Sequence, residues 1–202
     1  FEDAAAGGPT FKEGGTNFTN SLLVGDDGTG TLSSATGNVG LGKEVFTALT
    51  SGNDNVIVGF EAGDALTTGT NNVGIGKSAM SDLTTGNHNT AVGSGAGGDI
   101  TDGESNSFFG RSAGRKVTTG DENTAIGRNA LDNATSGHRN TMVGFNSGGA
   151  ITTAGENTFI GGDAGESTTT GGINTFVGFQ AGEANTTGNN NVFIGSNAGD
   201  AI

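Results

Sequence analysis

The chain has 202 residues, 41 of them glycine, with one proline, no cysteine and a formal charge of −13. A hydrophobic share of 31% excludes a conventional thick core, and the missing cysteine excludes a disulfide framework. The acidic balance argues against nucleic acid as a partner, and without a run of about 18 apolar residues no membrane span is expected.

Residues 1–20 follow no period and are expected to form an irregular N-terminal cap or inter-subunit segment. A start at Phe1, without Met or a signal-like apolar stretch, reads as a processed product or a piece of a longer chain. Ser21-Leu22-Leu23-Val24-Gly25 is a weak first coil. The next stretch, Gly25-Asp26-Asp27-Gly28-Thr29-Gly30, is similar to a calcium-binding β-roll loop. It occurs once, whereas a calcium-stacked roll needs its Asp in every coil.

From there a strict period takes over. Asparagine stands at Asn38, Asn55, Asn72, Asn89, Asn106, Asn123, Asn140, Asn157, Asn174 and Asn191, always 17 residues apart. Glycine follows four residues later each time, from Gly42 to Gly195, and a threonine column runs from Thr50 to Thr186. The unit reads N-[TV]-x-[IV]-G-x-x-A-G-x-x-[LI]-T-T-G-x-x. Repeated glycines exclude a helical repeat, because each costs about 1 kcal/mol against Ala in a helix. The predicted fold is an all-β parallel β-solenoid of about eleven 17-residue coils over residues 21–202. Each coil is expected to hold two short strands and to stack about 4.8 Å from the next. The Asn column predicts an amide ladder along the axis, and the Thr column a hydroxyl ladder.

Strand alternation places positions one and three after each Asn on one face. Position three is always apolar: Leu41, Val58, Ile75, Val92, Phe109, Ile126, Val143, Ile160, Val177, Ile194. It is expected to form a thin interior with the Ala62–Ala198 column and with Leu49, Leu66, Leu83, Ile100, Val117 and Ile151. Position two then points outward, although it carries Ile57, Phe108, Met142, Phe159, Phe176 and Phe193. Such a line of apolar side chains predicts a self-association face, most simply around a three-fold axis as a homotrimer. The charged residues fall mainly in turns and read as a solvated rim.

Chemistry-bearing motifs fail on spacing. Gly76-Lys77-Ser78 would need its leading P-loop glycine at Asn71, and Gly42-Lys43 runs into Glu44 where Ser or Thr is required. His88 and His138 stand three coils apart, about 15 Å by coil spacing, too far to share zinc. Glu166 and Glu183 hold equivalent positions on successive coils and read as surface acids. No catalytic residue, metal or cofactor is expected, and the chain does not read as an enzyme.

The texts Asn-Thr-Ala-Val-Gly (89–93), Asn-Thr-Ala-Ile-Gly (123–127) and Thr-Thr-Gly (84–86, 118–120, 186–188) resemble repeats of bacteriophage tail-fibre proteins. They are also similar to the head repeats of trimeric autotransporter adhesins of the YadA type, which use a shorter period. The resemblance spans roughly residues 21–202. It implies an elongated, usually trimeric fibre on a virion or cell surface, used for attachment, with a surface glycan or receptor as partner. The expected function is therefore a non-enzymatic fibre or adhesin segment, extracellular or on a virion. An alternative is a homopolymeric filament joined head to tail, with the N-terminal segment completing an open coil at Ile202. A lesser alternative is ice binding through threonine arrays.

Overall fold

A computed structural model describes residues 10–15, 17–25 and 30–200; Phe1, Asp26, Asp27 and Ile202, with the expectations attached to them, lie outside the described residues. Strands β1 (Thr10–Gly15) and β2 (Phe18–Gly25) form an antiparallel hairpin. The parallel stack starts on β2, which pairs with β3 (Ala35–Thr36) through Phe18 and Thr19 and with β4 (Val39–Leu41) through Leu22 to Val24. Regular pairing therefore begins inside the stretch expected to be irregular.

One three-residue strand per coil continues the ladder: β5 (Val56–Val58), β6 (Val73–Ile75), β7 (Thr90–Val92), β8 (Ser107–Phe109) and β9 (Thr124–Ile126). Then come β10 (Thr141–Val143), β11 (Thr158–Ile160), β12 (Thr175–Val177) and β13 (Val192–Ile194). Equivalent residues face each other without slippage, as in Thr141 with Thr158 and Met142 with Phe159. The chain is a parallel β-solenoid of about ten turns, β4 to β13. Two strands per coil are expected, but the described coils have one. The threonine side is held instead by turn-to-turn bonds: Thr67 N–H donates to Thr84 O at 3.0 Å, and its hydroxyl donates to the same carbonyl at 2.9 Å. The threonine ladder thus runs from hydroxyl to carbonyl.

Left-handed residues make the corners. In the coil of Asn123 these are Glu122 (φ 57°), Gly127 (134°), Asn129 (58°) and Leu131 (54°). Only glycine fits the second, since its φ lies outside the small left-handed region open to side chains. One coil earlier, a Cβ on Gly110 would stand 2.6 Å from the carbonyl oxygen of Gly127. That close stacking is why glycine recurs at this position.

The structure reverses the expected inside and outside of the strand. The asparagines point inward and are buried, so position two, which shares their parity, points inward too. Ile57, Phe108, Met142, Phe159 and Phe176 are wholly buried within their own chain. Phe193 stacks on Phe176 at 4.9 Å, as Phe176 does on Phe159 at 4.5 Å. The first five are core and Phe193 packs against them half-buried, so these six residues do not form the outward self-association face predicted for them. Position three is the outward one.

A second regularity explains how so thin a lumen is filled. Position two and position eight exchange volume coil by coil. Gly40 is matched by Phe46, Gly74 by Met80 and Ala125 by Leu131; Ile57, Phe108, Met142, Phe159 and Phe176 are each matched by glycine. The contacts are direct: a Cβ on Gly148 would lie 2.6 Å from the Met142 sulfur, and one on Gly40 would lie 2.9 Å from the Phe46 ring. The coil with Ala91 and Gly97 is small at both places, and there Ile100 and the neighbouring Phe108 reach in, 2.7 and 3.1 Å from a Cβ on Gly97. Phe46, Met80 and Leu131 hold φ of 62°, 53° and 54° at position eight. A left-handed residue costs about 1–2 kcal/mol, and burying a large apolar side chain returns about 1.5–3 kcal/mol.

Candidate functional site

The asparagine ladder is a buried, satisfied network. Asn55 N–H and Nδ2 both donate to Asn38 Oδ1 (3.0 and 2.9 Å), and Nδ2 also donates to Gly69 O of its own coil at 3.0 Å. The pattern recurs from Asn72 to Asn157. Ser21 starts it, its hydroxyl oxygen accepting from Asn38 N–H at 2.8 Å. With both donors and the acceptor engaged, these amides brace the turn and offer nothing to a ligand.

Histidine and carboxylate chemistry stays dispersed. His88 and His138 are both exposed, and among the described residues no three His, Cys, Asp or Glu side chains gather as a metal site. Glu166 accepts from Asn146 Nδ2 at 2.6 Å, beside a shallow cleft of about 250 Å³ lined by Asn133, Gly149 and Ser167. Among the described residues, one buried side-chain oxygen lacks a hydrogen-bond partner, and it is the Oδ1 of Asp64. Burial raises the pKa of this carboxyl above the ordinary 3.8. Backbone N–H groups partly oppose that shift, while Asp82 and Glu61 add to it.

The outer strand face carries a continuous apolar rank. Position three runs through Ile75, Phe109, Ile126 and Ile160, with Phe109 41% and Ile126 43% exposed. Beside it, position one is valine in β4 to β6 and then Thr90, Ser107, Thr124, Thr141, Thr158 and Thr175. Basic and aromatic residues flank this face at position five. Four of the eight Lys and Arg residues stand there, Lys43, Lys77, Arg111 and Arg128, interleaved with Phe60, Phe145 and Phe179. Lys77 Nζ lies 5.5 Å from the Phe60 ring centre, and the Arg128 guanidinium 4.5 Å from that of Phe145, both in cation–π range. The opposite flank, in the two positions before each ladder asparagine, is mostly neutral and carries five acids: Asp54, Glu104, Asp121, Glu122 and Glu156. Arg139 interrupts it and bridges Glu122 and Glu156, each at 3.1 Å.

Comparison with protein-family models, curated proteins and solved structures finds no match. The outer face is therefore the candidate site on geometry alone. In order across the strand it is polar with scattered acids, then hydroxyl or valine, then aliphatic or phenyl, then mostly basic or aromatic. The sequence held this signal: the position-five cations are visible once the repeat is aligned on its asparagines. Assigning the apolar columns to the wrong sides hid it. No helix among the described residues is long and apolar enough to cross a membrane.

Proposed function

We propose that this chain is a non-enzymatic, rod-forming structural segment that associates with copies of itself through its outer strand face. Ten coils at about 4.8 Å make a rod of about 48 Å. The reading is carried by the aliphatic rank at position three, because the lumen is already filled by the chain's own position-two and position-eight side chains. Contiguous exposed apolar surface on this scale marks an interaction site. The resemblance to tail-fibre and adhesin repeats extends the reading to a fibre on a virion or cell surface, spacing or presenting an attachment site for a glycan or receptor.

The test replaces Ile126 and Ile160 with lysine and measures mass by sedimentation. Loss of the wild-type oligomer, with an unchanged β-type circular dichroism spectrum, is the expected result. A wild-type chain that sediments as a 19.7 kDa monomer at tens of micromolar would refute self-association.

One observation favours ice binding as a second reading. Thr90, Ser107, Thr124, Thr141, Thr158 and Thr175 put hydroxyls on six successive coils at position one, on the same outer face as the aliphatic rank. Faceted ice crystals in the protein's presence would support it, and ordinary disc-shaped growth would remove it.

A further inference from the structure

The outer face has opposite flanks, and that asymmetry selects an arrangement. Two copies can meet face to face with their solenoid axes parallel, related by a two-fold axis along the rod. That operation reverses left and right across the face while keeping every coil level with its counterpart. Position five of each coil then opposes the residue just before the asparagine of the same coil in the other copy. Arg128 meets Glu122, with Asp121 beside it; Arg111 meets Ser105, with Glu104 beside it; Phe179 meets Ile173. Phe145 meets Arg139, an arginine over an aromatic ring. Position five carries no acid and its opposing position no lysine, and no coil sets like charges against each other.

The nearest competing arrangements introduce like-charged contacts. An antiparallel pair turns the basic column against itself. A slip by one coil pairs Arg111 with Glu122 and sets Lys43 and Lys77 against Asp54. It also sets Arg128 against Arg139, a like-charged contact that the level pair does not have. Resting on the self-association proposed above, we infer that the outer face binds a second copy of this chain in parallel, with coils level and the acid-bearing flank of each copy on the basic flank of the other.

Size agrees with a stable pair. Ten rungs of about 4.8 Å, each about five residues of 3.3 Å wide, give a footprint of about 800 Å² per copy, the usual half-share of a specific interface. Face-to-face sheets stand about 10 Å apart, a gap that Arg128 and Glu122 side chains can bridge from either side. Two-fold pairs are also the commonest closed assemblies.

Two charge reversals test it, Arg128→Glu and Glu122→Arg. Arg139 already occupies the position of Glu122 in the next coil at a similar φ, 54° against 57°, so the second change fits the backbone. Each variant alone places like charges opposite each other twice per pair, and its self-affinity should fall roughly tenfold or more. An equimolar mixture should recover to within about threefold of wild type, because both cross-chain contacts become opposite in charge again. The contacts of Arg128 with Phe145 and of Glu122 with Arg139 inside one chain stay broken in the mixture, so recovery reads only the pairing between copies. Circular dichroism confirms that each variant keeps its β signature. A wild-type chain that associates, while mixing restores nothing or neither variant weakens, overturns the parallel level pairing and leaves self-association standing. A three-membered ring would recover only in part, since an odd ring of two variants keeps one like-charged contact, and it too would overturn the pair. A monomeric wild type instead overturns the self-association beneath it.

Discussion

Phe108 occupies the space that Gly114 leaves: a Cβ on Gly114 would stand 2.5 Å from the Phe108 ring. One coil on, the same two places hold Ala125 and Leu131, both buried, with the sizes exchanged. The lumen is thus filled by pairs rather than by either column alone.

Gly114→Leu should destabilise the chain by roughly 2–4 kcal/mol, through overpacking and a left-handed non-glycine residue. Combining it with Phe108→Ala copies the Ala125–Leu131 arrangement and should regain more than half of that loss. Urea unfolding of the two single variants and the double variant gives the coupling; additive losses would refute volume exchange.

Asn106→Ala should cost roughly 2–4 kcal/mol, because it strands several buried partners at once. Asn123 N–H and Nδ2 lose their acceptor at 3.0 and 3.1 Å, and Gly120 O loses its donor at 2.8 Å. Asn106→Asp keeps the acceptor but sets a carboxylate against Gly120 O. It should be markedly less stable at pH 7 than at pH 4, where the protonated acid donates again. Melting curves at the two pH values read this directly.

Gly110→Ala should cost more than about 2 kcal/mol, as the added methyl meets the Gly127 carbonyl at a φ of 135°. Hydrogen exchange should show lost protection concentrated in strands β8 and β9. Uniform loss along the rod would contradict nearest-neighbour stacking.

Asp64→Asn should raise stability at neutral pH. Burial lifts the folded-state pKa of Asp64 above its unfolded value of 3.8, so the ionised side chain opposes folding at every pH above the folded pKa. That penalty disappears as pH falls through the folded pKa toward the unfolded one. The melting-temperature advantage of the variant should therefore be present at pH 7 and close by about pH 4. An advantage that does not vary with pH would exclude the carboxylate as its source.

Much was legible before any coordinates. An unbroken 17-residue period with glycine at a constant place requires one backbone conformation per lap, and the asparagine and threonine columns announce ladders between laps. The extent of the stack was legible less well, since Phe18 and Thr19 pair with Ala35 and Thr36 although neither follows the repeat text. The candidate site was harder to read. Positions two and three of each strand are both largely apolar, as in Thr158-Phe159-Ile160, and alternation says only that they point opposite ways.

The sequence by itself determined the coil, its length, its stacking and the chemistry of each column, because these follow from residue types repeated at constant spacing. Only the tertiary structure decided which way each column faces. The asparagine must turn inward to reach the glycine carbonyl of its own lap, as Asn55 reaches Gly69, and that local bond sets the parity of the whole strand. Phe159 is thereby drawn into the lumen against Gly165, and Ile160 is left on the outside.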